Sequence, residues 1–171
     1  MSQSPPFKNT IICQDCTINN GVTIGHGTVL HPKASITTEH GAPIEIGESN
    51  IIEEFVQIIN RSKEKMIIGS NNLFEVGSLI ECKLIGNENV IETKSKVYRD
   101  VVIGNSCVIS AGSIVPENEI LDDNTVYSVT DRNRLKFTSP IPSESHMSIH
   151  PGHLEHLHKT LPNFHNMKKN F

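Results

Sequence analysis

The sequence contains no tryptophan, and aromatic residues are few, with two tyrosines and six phenylalanines among 171 residues. Hydrophobic residues make up 36% of the chain, and isoleucine and valine are frequent among them. A thick globular core filled by aromatic rings is therefore not expected. A narrow core of tightly packed aliphatic side chains fits this composition better.

Long apolar segments and an excess of positive charge are also missing. No stretch approaches the ~20 apolar residues of a membrane-spanning helix, and the first residues lack the basic and apolar regions of a signal peptide. The formal net charge is −4, and basic residues are scattered, which gives no electrostatic case for nucleic-acid binding. The sequence predicts a soluble intracellular protein without membrane insertion or a nucleic-acid partner.

An Ile-Gly pair recurs five times, at residues 24–25, 46–47, 68–69, 85–86 and 103–104. Within these units aliphatic or aromatic residues return every six positions, most regularly from Ile85 to Tyr127. Six is a multiple of two and not of 3.6, so these residues share one face of a strand, whereas a helix would scatter them. Gly, Asn, Asp and Glu fill the positions between strands.

Three hexapeptides make about 18 residues, enough for a coil of three short strands lying about 4.8 Å above the coil before it. The predicted fold class is all-β, a single-stranded parallel β-helix of about six coils with a C-terminal α-helix. The general rule for parallel crossovers favours the right hand. The hexapeptide signature resembles that of left-handed β-helix proteins, and this resemblance implies the left hand.

The hexapeptide register divides the chain into four parts. We predict an N-terminal arm over residues 1–9, the β-helix over 10–129, a linker over 130–150 and a helical tail over 151–171. Leucines spaced by three and four residues predict the helix from Pro151 to Thr160, ended by Pro162. We expect this tail to pack on a flank of the solenoid.

Two breaks in the register predict corner loops near 37–43 and 60–66. The second loop is charged, so we expect it to be mobile; it is either a contact loop or an idle surface loop.

The four cysteines suit a reducing compartment. Cys16 and Cys107 fall on small inward positions of the repeat, where cysteine acts as a small hydrophobe. Cys13 and Cys16 form a single CxxC pair, which cannot close a tetrahedral zinc site alone. A buried structural role is therefore favoured over a zinc or redox role.

Enzymes also use this architecture. His26 and His31 resemble the Gly-His-x4-His element of the gamma-class carbonic anhydrases, but that family takes a third histidine from about two coils upstream, and only 25 residues precede His26. His40 could be offered as the general base of a hexapeptide acyltransferase. Six of the nine histidines lie between residues 146 and 165, where a solvated helix is expected rather than a metal site.

Four segments carry a more specific resemblance. They are residues 31–35 (HPKAS), 41–54 (GAPIEIGESNIIEE), 66–77 (MIIGSNNLFEVG) and 161–169 (LPNFHNMKK). Together they resemble the dynactin subunit 6 family, and the likeness runs from about residue 10 to 169. The last segment lies outside the repeat, which makes the likeness more specific than a hexapeptide pattern alone.

The resemblance implies a non-catalytic adaptor subunit without a cofactor, in the pointed-end complex of dynactin. Its implied partners are dynactin subunit 5 and other pointed-end subunits, including the actin-related protein, with cytoplasmic dynein as an indirect partner. It implies a function in microtubule-based cargo transport, and a cytoplasmic, cytoskeletal location that includes the centrosome and kinetochore. The alternatives are a gamma-carbonic-anhydrase-like metalloenzyme or a hexapeptide acyltransferase.

Two sets of residues are candidates for partner binding. The first coil has no evident cap, so Ile18 and Ile24 are expected at an edge that a partner covers. Glu53, Glu75 and Glu92 occupy the same step of successive units and form either an acidic strip for a basic partner or solvated corners. Asparagines 50, 72 and 89 stack in the same way and predict a structural amide ladder.

Overall fold

The structure is a computed structural model and describes residues 9–129, 134–138 and 142–168. Predictions for most of the N-terminal arm (1–8), for part of the linker (130–133 and 139–141) and for residues 169–171 lie outside the described residues. In the described part of the chain, no helix is long and apolar enough to span a membrane.

The chain folds into a left-handed parallel β-helix of about six coils, which confirms the predicted fold class. Its strands, numbered in chain order, form one sheet of eight strands and two of six, one sheet on each side of the coil. The first sheet contains β1 (Ile11–Ile12), β4 (Val29–Leu30), β7 (Ile51–Ile52), β10 (Leu73–Phe74), β13 (Val90–Ile91), β16 (Val108–Ile109), β19 (Thr125–Val129) and β20 (Arg134–Thr138). The second contains β2 (Thr17–Ile18), β5 (Ser35–Thr38), β8 (Gln57–Asn60), β11 (Leu79–Ile80), β14 (Lys96–Val97) and β17 (Ile114–Val115). The third contains β3 (Val22–Ile24), β6 (Ile44–Ile46), β9 (Met66–Ile68), β12 (Leu84–Ile85), β15 (Val102–Ile103) and β18 (Ile120–Leu121).

The six-residue pattern places an aliphatic or aromatic side chain from nearly every parallel strand in the core, whereas Leu135 and Phe137 of β20 are exposed. In the first sheet Ile52, Phe74 and Ile91 are paired in register and fully buried. Cys16 and Cys107 are buried as predicted. The largest fully buried side chain is Tyr127, whose hydroxyl donates to the carbonyl oxygen of Ile114 at 3.2 Å.

Close stacking of the coils explains the Ile-Gly repeat. A Cβ atom added to Gly69 would lie 2.5 Å from the carbonyl oxygen of Gly86, and one added to Gly86 would lie 2.5 Å from that of Gly104. These separations leave no room for a side chain, so successive coils approach each other through a column of glycines.

The C-terminal part differs from the predicted linker and helix. Strand β20 pairs antiparallel with β19, and helix α1 (Pro142–Phe164) begins well before Pro151 and continues past Pro162. Proline removes a backbone donor and disfavours a helix interior. For this reason the predicted helix began at Pro151 and ended before Pro162, and both predicted ends are wrong. Contacts between α1 and the solenoid outweigh this local preference.

The second corner loop is held by hydrogen bonds rather than left free. The side-chain amide of Asn60 donates to the carbonyl oxygens of Pro43 at 3.2 Å and Glu64 at 2.9 Å. Its oxygen accepts from the backbone N–H of Ser62 at 3.0 Å. Arg61 binds Glu81 at 2.6 Å and also contacts Glu39. The connections over 39–43 and 61–65 therefore form one bonded corner.

Candidate partner-binding surface

The three glutamates of the proposed strip lie at the same corner of neighbouring coils. They follow β7, β10 and β13, whose strands are paired in register. Each carboxylate accepts a hydrogen bond from the backbone N–H of the next turn: Glu53 from Val76 at 3.0 Å, Glu75 from Thr93 at 2.9 Å, and Glu92 from Ala111 at 2.8 Å. The column therefore ties consecutive coils together, a function that the sequence reading did not include.

The charge of Glu53 is held in a partly buried environment. Burial raises the pKa of the Glu53 carboxyl, and the hydrogen bond from Val76 opposes that rise. Neighbouring Glu75 and Glu54 raise the pKa further, because like charges repel. One oxygen of each carboxylate is engaged by the backbone, so only the remaining oxygen is available to a partner. Partner binding by this strip stays a prediction.

Two substitutions of Glu53 distinguish the contribution of its hydrogen bond to stability from the contribution of its charge. Glu53→Gln keeps an oxygen that can accept from Val76 N–H, so we expect its free energy of unfolding to stay within about 0.5 kcal/mol of wild type or to exceed it. Glu53→Ala leaves that N–H without its acceptor and is expected to cost about 1 kcal/mol. Urea unfolding at neutral pH measures both; equal stability of the two variants would contradict the structural role.

The difference in stability between wild type and Glu53→Gln depends on pH in a defined direction. Since the folded state raises the pKa of Glu53, the protonated form stabilises the fold. That stabilisation is present below the unfolded pKa of about 4.3 and is lost as the pH rises through the folded-state pKa. The stability of Glu53→Gln relative to wild type should therefore increase as the pH is raised from about 4 towards neutrality.

The two isoleucines of the first coil have different environments. Ile18 in β2 is half-buried and packs against the core. Ile24 in β3 is 2% exposed and points inward, so it supports the end coil from within and does not offer a contact surface. Strands β2 and β3 end their sheets in the described part of the chain. Their backbone edges remain candidates for partner pairing, with Ile18 beside them.

The edge of the first sheet at this end is covered by the chain's own tail. The backbone N–H of Gln14 donates to the carbonyl oxygen of Asn166 at 2.8 Å, and that of Lys168 donates to Ile12 at 2.8 Å. Cys13 and Met167 form an antiparallel bridge between these bonds. The expectation of an uncapped first coil is thus wrong for this sheet, because the tail returns to β1.

Phe55 is a candidate that the sequence reading missed. Its side chain is 53% exposed, and its φ is +60°, a conformation that a bulky residue rarely adopts. Lys33, also with positive φ, places its ammonium 5.2 Å from the ring centroid. Backbone strain tends to persist where function needs it. The signal in the sequence is a phenylalanine at a corner where other coils carry Gly or Lys.

The histidines proposed for enzymes do not assemble into a shared site. His26 and His40 are exposed, whereas His31 is buried and its Nδ1 lies 3.0 Å from Glu54 Oε1. Among the described residues, no group of three or more His, Cys, Asp or Glu could hold a metal ion. The geometry therefore supplies no support for the three-histidine arrangement of a carbonic anhydrase.

The CxxC pair lies in an environment that suppresses thiol chemistry. Burial raises the pKa of the Cys13 thiol to about 12 and that of Cys16 to about 11. The Cys16 thiol donates to the carbonyl oxygen of His31 at 3.0 Å. Because the thiolate is the reactive form, these cysteines act as small buried groups.

Comparison with known proteins identifies relatives over most of the chain. Dynactin subunit 6 of Dictyostelium discoideum is 56% identical over 164 residues, covering 95% of this chain and 87% of that protein. Dynactin subunit 6 of Nematostella vectensis is 41% identical over 172 residues, covering 94% of this chain and 89% of that protein. No protein-family model matches the chain.

Solved structures share the fold at low identity. The N-acyltransferase AntD of Bacillus cereus, crystallised with dTDP and 3-hydroxybutyryl-CoA, superposes with a TM-score of 0.69 at 14% identity, over 88% of this chain and 89% of that one. Identity this low shows a common hexapeptide β-helix and carries no information about activity. The extent and identity of the sequence matches, including the tail outside the repeat, show that the chain belongs to the dynactin subunit 6 family.

Proposed function

We propose that this chain is a non-catalytic structural subunit of dynactin that pairs with dynactin subunit 5 at the pointed end. The observation that carries the proposal is 56% identity to a dynactin subunit 6 over 95% of the chain. In this proposal the chain also contacts other pointed-end subunits, including the actin-related protein. It supports dynein-driven transport indirectly, in the cytoplasm, at microtubules, and at the centrosome and kinetochore.

A β-helix suits a scaffold because each coil contacts only its neighbours and the stack is stiff along its axis. Its end strands carry backbone N–H and C=O groups that can pair with another chain. Strands β2 and β3 end their sheets within the described residues. We place the subunit 5 contact at this end, with Ile18 beside the edge strands, and we extend it along the solenoid to the glutamate column, which begins two coils further on.

Phe55 extends this surface along the N-terminal half of the solenoid. An exposed aromatic ring next to a cation supplies the apolar anchor that interface centres prefer. The positive φ of Phe55 means that the fold itself would favour Gly or Asn at this corner. A partner contact accounts for the retention of a ring at a conformational cost.

Co-expression with dynactin subunit 5 tests the pairing. Size-exclusion chromatography with light scattering should give a one-to-one heterodimer, and metal analysis of the same peak should find less than a stoichiometric amount of zinc, cobalt or iron. A metal-loaded homotrimer that does not bind subunit 5 would contradict the proposal and would return attention to His26, His31 and His40.

Two matched variants locate the contact. Phe55→Asn removes the ring while keeping a residue that tolerates positive φ, so we expect normal folding and at least about tenfold weaker binding of subunit 5. Ile120→Asn changes another exposed residue, 61% accessible in β18 near the far end of the solenoid, and should leave the affinity unchanged. Equal effects of both variants in a binding titration would argue against a contact near Phe55.

A further inference from the structure

Histidines fasten helix α1 to one corner of the solenoid. Their Nε2 atoms approach three backbone carbonyl oxygens: His146 that of Asn71 at 3.1 Å, His150 that of Ser49 at 2.8 Å, and His158 that of Gly27 at 3.0 Å. The accepting residues occupy the same corner of three consecutive coils, and all have positive φ. The expectation of a solvated histidine-rich helix is therefore wrong for this face.

These contacts require a proton on Nε2, because a carbonyl oxygen can only accept, and both one neutral tautomer and the imidazolium carry that proton. His146 and His150 are 6% and 2% exposed, and their ring centroids are 4.6 Å apart. The Nδ1 atom of His150 is buried without a hydrogen-bond partner. A second proton on this ring would place a donor and a charge where no acceptor is available.

Apolar contacts hold the C-terminal half of the helix to the same sheet. Leu157 and Leu161 pack on Ile11, Val29 and Ile51, and Leu154 lies at the margin of this cluster. His146 and His150 hold the N-terminal half, where the helix also contains Pro151 and Gly152. Among the described side chains of that half, His146 and His150 contact the solenoid, whereas Ile149 is exposed.

We propose that α1 is a proton-sensitive strap: the buried His150, whose Nδ1 has no hydrogen-bond partner, favours docking in its neutral form, and acidification releases the helix while the β-helix stays folded. Release would uncover the apolar residues of β1, β4 and β7 that the strap covers at neutral pH.

The titratable groups around His150 and His153 support release of α1 on acidification. The titratable groups acting on His150 are His146 and His153 of its own helix, and from the solenoid it meets the Ser49 carbonyl. His153 faces His31, which is paired with Glu54, and also His156 and His146. Burial lowers the pKa of both His150 and His153, and the neighbouring histidines lower it further, while the hydrogen bond to the Ser49 carbonyl partly opposes the shift at His150.

The pH window follows from these shifts. A histidine whose pKa is depressed in the docked state stabilises docking fully above its free value of about 6.5, and this stabilisation is lost as the pH falls below that value. Each proton taken up on release weakens docking by about tenfold per pH unit. Two protons, on His150 and His153, give a limit of about a hundredfold per unit.

Hydrogen exchange of the whole chain between pH 7.5 and 5.5, corrected for intrinsic amide chemistry, tests the strap. Protection of residues 146–164 should fall by at least about tenfold per pH unit below 6.5, while protection of the core strands stays constant. His150→Gln can still donate to Ser49 but cannot titrate, so its slope should be about tenfold per unit shallower. His156→Gln, at an exposed position of α1, should behave as wild type.

Helix protection that does not change with pH, an unchanged slope in His150→Gln, or simultaneous loss of strand protection would each overturn the proposal. A titration of the wild-type histidine ring protons by NMR provides a check without any substitution. The His150 ring should protonate below the free histidine value of about 6.5, and titration at or above that value would also overturn it.

Discussion

Asn72→Ala is expected to lower the free energy of unfolding by about 3–5 kcal/mol. Its amide oxygen accepts from the backbone N–H of Asn89 at 2.9 Å and from the Asn89 side chain at 3.0 Å. Its amide nitrogen donates to Asn50 Oδ1 and to the Gly86 carbonyl oxygen, both at 3.0 Å. All three asparagines are fully buried, so the truncation leaves several polar groups unpaired, each costing about 1–3 kcal/mol before relaxation.

Asn87, two residues before Asn89, provides a matched control. The Asn87 side chain donates to Asn105 Oδ1 at 3.1 Å in a second amide ladder, which is exposed. Water can replace that bond, so Asn87→Ala should cost less than about 1 kcal/mol. Urea unfolding of both variants measures the difference. Comparable losses would mean that the buried ladder contributes no more than the exposed one, contrary to the argument from burial.

Gly69→Ala is expected to destabilise the fold by about 3 kcal/mol or more, since the change forces two coils apart. The added Cβ would meet the carbonyl oxygen of Gly86 at 2.5 Å and its carbonyl carbon at 2.7 Å. These are backbone atoms of a corner held on both sides, because the Gly86 N–H donates to the Ile103 carbonyl oxygen and the Gly86 oxygen accepts from Asn72, so they cannot rotate away as a flexible side chain could. The strain should appear as a lower urea midpoint.

The same substitution at Gly152 should raise the free energy of unfolding instead of lowering it. An added Cβ there meets nothing within 4 Å, and the residue lies within α1. Alanine is favoured over glycine in a helix interior by about 0.5–1 kcal/mol, so Gly152→Ala should stabilise the protein or its helix. Similar destabilisation by both changes would show that coil spacing is not the cause of the effect at Gly69.

The repeat could be predicted in detail because its information is local. Ile52, Phe74 and Ile91 fall on the six-residue period, and their burial in registered strands confirms the shared face that this period predicts. The amide ladder through Asn50, Asn72 and Asn89 is confirmed for the same reason. The glutamate column was placed correctly, but its hydrogen bonds to backbone N–H groups depend on the depth of the corner, which no sequence period encodes.

The ends of the structure could not be predicted in this way. The docking of His150 on Ser49 and the bond from Lys168 to Ile12 join residues more than a hundred positions apart. Pro151 and Pro162 disfavour a helix interior locally. Contacts between α1 and the solenoid overcome this preference. The strain at Phe55 likewise becomes visible only with its φ.

The sequence alone determined the solenoid of this protein, its aliphatic core and its glycine column, because strand alternation and coil contact repeat at fixed short spacings. Its tail and matched segments also pointed to the family. The position of α1, the strand edge that the tail covers and the burial of His146 and His150 depend on tertiary contacts. Those contacts join the tail to surfaces of the β-helix that are far away in the sequence. Shape and hydrogen bonding in three dimensions therefore decide which residues meet.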